Sequence, residues 1–161
     1  MSVILRAMEM RDVPKVLGLF GQLSAEMTAV PFDSIANEAQ IADWLDREDT
    51  FVYVAADGDL ILAVIRAKRG QGNKEHAAHI ALAVDERFGG RKYAAQLTEF
   101  CIGALKEVGV ELVRAFVYSN NQSSIETVLC CGFTLGGSVY KHHYDLNAER
   151  YIDDLIFYKE I

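Results

Sequence analysis

The chain has 161 residues, enough for one domain with a sizeable core. Hydrophobic residues make up 51% and charged residues 24%, a globular balance that excludes an intrinsically disordered chain. The net charge of −7 argues against nonspecific nucleic-acid binding, and no apolar run approaches the ~20 residues of a membrane span.

Val3 to Ala7 alternates as a first strand. Asp12 is placed to cap a helix that carries Pro14 in its first turn, with Val16, Leu17, Phe20, Leu23 and Met27 on one apolar face. Pro31 breaks that pattern. Asp33 or Ser34 is placed to start a second helix, with Ile35, Ala39, Ala42 and Leu45 inward, ending near Arg47. Between Gly21 and Thr50 seven acids (Glu26, Asp33, Glu38, Asp43, Asp46, Glu48 and Asp49) stand against one base, Arg47. The stretch reads as a solvated helical face, or as a wall that attracts a cationic substrate.

Phe51 to Ala56 and Leu60 to Lys68 flank Asp57-Gly58-Asp59, a hairpin signal. Gly70-Gln71-Gly72-Asn73 lacks the third glycine and the following helix of a dinucleotide fingerprint, so it is read as a loop. His76 to Val84 is a buried strand. Gly89-Gly90-Arg91-Lys92 follows, then a helix from about Lys92 to Val108. Its apolar residues Tyr93, Leu97, Cys101, Ala104, Leu105 and Val108 recur at helical spacing, and Gly109 sits at the expected C-terminal cap. Strand, glycine-rich turn and helix in that order make an anion site, because the first helical turn carries unpaired N–H groups and a partial positive charge.

Glu111 to Val117 is another strand, and Asn120-Asn121 is placed to cap a short helix to Cys131. Phe133 to Leu146, a turn at Asn147-Ala148 and Tyr151 to Tyr158 form an antiparallel region. No repeat or linker interrupts the chain, so residues 1–161 are read as a single domain. The order β-α-α-β-β-β-α-β-α-β-β predicts an α/β (α+β) fold around a mixed sheet. Cys101, Cys130 and Cys131 are odd in number and two are adjacent, which implies no disulfide framework. Beside His142-His143 the cysteine pair matches no zinc spacing, so no metal is expected. The N-terminus lacks the pattern of a secretory signal, and a reducing, cytoplasmic setting fits best.

Two motifs carry a family resemblance. Val84-Asp-Glu-Arg-Phe-Gly-Gly-Arg-Lys-Tyr-Ala94, followed by Leu97, is similar to the acetyl-CoA loop Gln/Arg-x-x-Gly-x-Gly/Ala of the GCN5-related N-acetyltransferases, the GNAT superfamily. Asn121 to Phe133 resembles the family's Asn-x-x-Ala/Ser signature that ends in Gly-Phe, here Gly132-Phe133. The segment Glu149 to Asp154 before the last strand is also similar to members that close with an aromatic-Asp pair. The resemblance spans nearly the whole chain. It implies a mostly antiparallel central sheet of about seven strands flanked by about four helices. It also implies acetyl transfer from acetyl-CoA, without a metal, to a small-molecule or protein amine by direct attack in a ternary complex; homodimers are common among similar proteins. Departures are visible: Gly89 stands where Gln or Arg is usual, Lys92 where Gly is usual, and Val128 where many members carry a tyrosine.

Under this resemblance the phosphates sit on Gly89, Gly90, Arg91, Lys92, Tyr93 and Ala94, and a backbone N–H near Val84 polarises the acetyl carbonyl. Asn121 is a helix cap, a CoA contact or both. For the general base the sequence offers Glu75, His76 and His79, with His79 and Ala81 on one face of the strand and His76 and Ile80 on the other. For the acid it offers Ser124, at the small-residue position of the second motif, and Tyr118, Tyr140 or Tyr144, of which Tyr140 is taken. Two rival readings stand beside this one: an acyl-CoA-binding module that senses without catalysis, suggested by Val128 and the altered loop, and a fold relic that binds no CoA.

Overall fold

A computed structural model of the chain describes residues 2–25, 32 and 35–161. The elements are β1 Val3–Ala7, α1 Val13–Ala25, α2 Glu38–Asp46, β2 Thr50–Asp57, β3 Leu60–Arg69, β4 Ala77–Val84, α3 Ala94–Glu107, β5 Leu112–Tyr118, α4 Gln122–Cys130, β6 Thr134–Asp145 and β7 Arg150–Glu160. Their order is the one expected. The seven strands form one sheet, β1-β2-β3-β4-β5-β7-β6, in which only β4 and β5 run parallel.

Helices cover both faces. Leu97, Cys101 and Leu105 of α3 pack with Ile80, Val113, Ala115 and Phe157. Val16, Phe20, Ile41 and Trp44 of α1 and α2 pack with Val54, Val64, Ala81 and Ala83 on the other face. A strand buried on both faces has no polar side to show, which is why β3 and β4 read as nearly unbroken apolar runs. The cysteines are free, and burial pushes Cys101 up to about 12 and Cys131 up to about 11, so both are packing thiols.

Three local expectations are corrected. Asp12 does not cap α1. Its carboxylate takes the Arg6 guanidinium at 2.7 and 2.9 Å and the Glu9 N–H at 2.8 Å, on a short 3-10 turn that precedes the helix. Helix α2 is capped by Asn37, whose Oδ1 accepts the Gln40 N–H at 3.0 Å while Gln40 Oε1 accepts the Asn37 N–H. With the helix starting there, Ile41 and Trp44 point inward and Ala39 is exposed. Met27, Pro31, Asp33 and Ser34 lie outside the described residues.

The feature that positions the site is the parallel pair. β4 and β5 pair only from Ala77↔Leu112 to Ile80↔Ala115. β4 continues to Val84 on the edge of β3, with Arg66↔Ala81 through Ala63↔Val84, and β5 continues to Tyr118 on the edge of β7, with Phe116↔Ile156 through Tyr118↔Asp154. Each strand keeps its outer partner and the two part from one another.

The Asp12 pair closes the chain's entry into α1, and both side chains are largely buried. Asp12→Ala leaves the Arg6 cation without its acid and is expected to cost about 3 kcal/mol in denaturant unfolding. Burial alone would raise the Asp12 pKa, but Arg6 and the Glu9 N–H outweigh it and hold it below the ordinary value. The pair's contribution is therefore present above the unfolded pKa and lost as pH falls. An equal loss at pH 7 and at pH 2 would contradict this.

Candidate active site

Between the parted ends lies a cavity of about 230 Å³, walled by Ile80 to Leu82 of β4, Ala115 to Tyr118 of β5 and Asn121, Ser124, Thr127 and Val128 of α4. His142 and Asp154 line it too. A second cavity of about 310 Å³ runs past Val84, Arg87, Arg91 and the start of α4, and Leu82, Asn121 and Ser124 line both. Asp85 gives its N–H to Leu62 O of β3 at 2.8 Å, and His76 O accepts from Glu111 and Leu112 on the β5 side. Peptide groups along a strand alternate in direction, so those of Leu82 and Val84 point to the side that β5 has left.

The turn after β4 is built on two glycines with different duties. Gly89 has φ +78°, and a Cβ there would meet open space. At Gly90 a Cβ would lie 2.1 Å from Leu62 O and 2.6 Å from Asp85 O, so the turn packs directly on the β3 backbone. A 3-10 turn over Gly90–Tyr93 leads into α3, two residues later than the helix start expected at Lys92. Several N–H groups of the expected phosphate cradle are bonded within it: Gly89 to Glu86 O, Gly90 to Asp85 O, Lys92 to Gly89 O and Ala94 to Arg91 O. Tyr93 packs partly against the core, and the exposed Lys92 places Nζ 5.8 Å from the Tyr93 ring centroid. The cavity instead receives Arg87, paired with Asp85 at 2.9 Å, and Arg91, paired with Glu86 at 3.0 Å. Arg91 Nη1 is buried without a hydrogen-bond partner. Asn121 caps α4, accepting the Ser124 N–H at 3.2 Å, so the first turn of this helix opens on the same cavity as the two arginines.

The expected acid and base residues are scattered. His79 lies on the α1/α2 face, one position before the last β4–β5 pair, and is half-buried. Burial pushes its pKa down, helped by the positive field of Arg66, Lys68 and Arg114, so it is neutral at pH 7. Ser124 lines both cavities. Glu75 does not reach the cleft; it sits in the loop before β4, at the strand's opposite end, beside Arg47, Asp49 and Arg69. Tyr140 is 75% exposed on β6, the outer strand, with β7 between it and β5. Tyr144 on the same strand is exposed and meets the Tyr151 ring at 5.3 Å, whereas Tyr118 lines the cavity. Val128 is buried in the cleft wall.

Sequence reasoning missed Asp154 and His142. Asp154 faces the cavity opposite Tyr118 in register, with a buried Oδ1 that has no hydrogen-bond partner. Burial pushes its carboxyl above the ordinary range, opposed by His142 and His143. A register break between Val139 and His143 brings His142 to the cavity, and His142 Nδ1 lies 3.1 Å from His143 Nδ1. An acid in the middle of Tyr-Ile-Asp-Asp-Leu-Ile-Phe was the available signal. Among the described residues no group of His, Cys, Asp or Glu is placed to hold a metal ion, and no helix is long and apolar enough to cross a membrane.

Comparison with known proteins agrees with this architecture. The sequence profile described as the acetyltransferase (GNAT) family matches residues 20–133. Among solved structures, an N-acetyltransferase from Staphylococcus aureus Mu50 superposes with TM-score 0.87 at 16% identity, covering 99% of each chain. The Salmonella typhimurium protein yncA, solved with its cofactor acetyl-CoA, gives 0.87 at 14%, covering 99% of this chain and 94% of that one. A GNAT superfamily phosphinothricin acetyltransferase from Sinorhizobium meliloti, in complex with acetyl-CoA, gives 0.86 at 15%, covering 100% and 89%. At these identities the likeness is one of fold. No curated protein sequence matches the chain.

The two glycines separate in a stability test. Gly90→Ala forces a methyl into the β3 backbone and is expected to cost more than about 3 kcal/mol. Gly89→Ala carries only the left-handed backbone strain, about 1 kcal/mol. Equal losses in urea unfolding would mean that the turn does not rest on β3.

Proposed function

The chain belongs to the acetyltransferase (GNAT) family, and from that premise we propose that it transfers an acetyl group from acetyl-CoA to a primary amine by direct attack in a ternary complex. The observation that carries the proposal is the parting of β4 and β5, which leaves the peptide groups of Leu82 and Val84 facing a cavity. An extended ligand bearing amides adds to such an edge as a strand would. Its pyrophosphate is held by Arg87 and Arg91 and by the first turn of α4, and the buried, unpartnered Nη1 of Arg91 fits that role. The acetyl-CoA complexes of the two structural neighbours support the same co-substrate here. Acetyl-CoA supplies an activated thioester; the chain supplies alignment, carbonyl polarisation by a backbone N–H near Val84, and a route for the amine proton.

For that proton we assign Asp154. Its carboxyl is poised nearer neutrality than an ordinary one, and His142 stands beside it at the exposed end of the cavity to pass the proton outward. His79, neutral and on the same face of the sheet, is the alternative. Ser124 is the α4 hydroxyl in the central cavity left to serve the thiolate, because Val128 offers none and Thr127 Oγ1 donates to Ser123 O at 2.9 Å.

Free-thiol release from acetyl-CoA with a panel of amines tests transfer, and failure of every amine in the panel to elicit thiol release removes it. Acetyl-CoA binding without turnover would leave the non-catalytic module, the reading that Val128 favours. Asp154→Asn is expected to lower kcat about 100-fold and to raise the melting temperature at pH 7. The sign follows from linkage. The folded pKa lies above the unfolded one, so folded protein binds more proton in that window and stability falls as pH rises through it. The amide removes that loss. Unchanged kcat in Asp154→Asn, with kcat lost in His79→Gln, would assign the base to His79.

A further inference from the structure

On the α1/α2 face, the floor beside the cleft is cationic. Residues directly opposite one another on paired strands share a face of the sheet. Arg66 of β3 stands opposite Ala81, the first residue of β4 beyond the last β4–β5 pair. Lys68 stands opposite His79, and Arg114 pairs with His79 from the other side. Arg66, Lys68 and His79 line a cavity of about 230 Å³ with Asp43, Trp44, Arg47 and Thr50. The His79 ring meets Phe116 edge-on at 6.1 Å, and Phe116 lines the central cleft, so the two spaces are neighbours across that contact.

Arg66 is held but not neutralised. Its guanidinium lies 5.1 Å from the Phe32 centroid and 4.9 Å from the Trp44 centroid, and its Nε is buried without a hydrogen-bond partner. Burial lowers its pKa. Among the described residues no ion pair engages Arg66, Lys68 or Arg114. The acids of the neighbouring wall answer to Arg47 instead. Asp43 lies 3.8 Å from it and Asp49 lies 3.1 Å from it. Asp49 also accepts from Thr50 and Gln71, and its pKa falls to about 2, chiefly through Arg47. A desolvated guanidinium held against two neighbouring rings keeps donors for a ligand, and its fork matches a carboxylate.

We infer that the acceptor is an amine that also carries a carboxylate, of the α-amino-acid class, with its carboxylate on Arg66 and its amine reaching past Ala81 to the transfer site. Lys68 and Arg114 add field without direct contact. The inference rests on the acetyl-transfer reading and sets aside the purely cationic substrate that the acidic stretch between Gly21 and Thr50 suggested. In the reaction the amine nitrogen forms the new N–C bond as the C–S bond breaks. One proton leaves the nitrogen and one reaches the sulfur, giving an N-acetylated acid and free CoA.

The test compares thiol release from acetyl-CoA with the common α-amino acids and with their α-amides, which differ only in the charged group. Wild type should favour the best acid over its amide about 100-fold in kcat/KM, mostly through KM. Arg66→Gln should bring that ratio close to one, and Arg66→Lys should restore part of it. An undiminished melting shift with acetyl-CoA would show that both variants remain folded. Amides turned over as well as acids, or an acid preference that survives Arg66→Gln, would overturn the inference while leaving acetyl transfer standing. Absence of amine-dependent thiol release with every acid and amide would instead remove the transfer reading, and this one with it.

Discussion

Everything the site can do depends on two parallel strands that stop pairing halfway. A buried peptide group needs a partner. β4 and β5 satisfy one another up to Ile80 and Ala115, then each is kept straight by its outer neighbour. The peptide groups of Leu82 and Val84 are left facing a cavity rather than a strand. Gly90 fixes where this ends, because only a residue without a side chain lets the following turn lie on Leu62 O. The same parting lets the space on the α3/α4 side meet the space on the α1/α2 side through the sheet.

Charge is distributed about this gap against the trend of the whole chain. The molecule carries −7 overall, yet Arg87 and Arg91 border one end of the gap and Arg66, Lys68 and Arg114 flank the other. The first pair is partly balanced by Asp85 and Glu86. Among the described residues no ion pair balances the second group, while Asp43 and Asp49 beside it are drawn to Arg47. A surplus of acids along a sequence segment therefore says little about the potential inside the cleft beside it. What decides is which acid reaches which base.

The sequence announced the features set by neighbours within a few residues. The hairpin at Asp57-Gly58-Asp59 forms, with Gly58 at φ +58°; Gly109 ends α3 at φ +91°; and Asn121 caps α4. The order of elements followed from these signals and from apolar periodicity. What was not legible depends on strand order and register. Tyr140 was taken for a cleft residue because it lies on a late strand, but the chain places β7 inside β6. Glu75 adjoins the right strand at the wrong end. Asp12 is taken from its helix by Arg6, six residues earlier on β1, a pairing set by how the chain turns from β1 into α1 rather than by helix periodicity. Arg66 did leave a trace, as a charge in the otherwise apolar run Leu60 to Ala67, but its meaning needed the Ala81 register and the two aromatic rings.

The most direct test of the account is amide hydrogen exchange, resolved to single residues, with and without acetyl-CoA. If the ligand pairs with the strand edge that β5 has left, exchange at Leu82 and Val84 slows strongly on binding, while Ala81 and Ala83, already turned toward β3, change little. Calorimetric binding of acetyl-CoA with no slowing at Leu82 and Val84 would contradict the account.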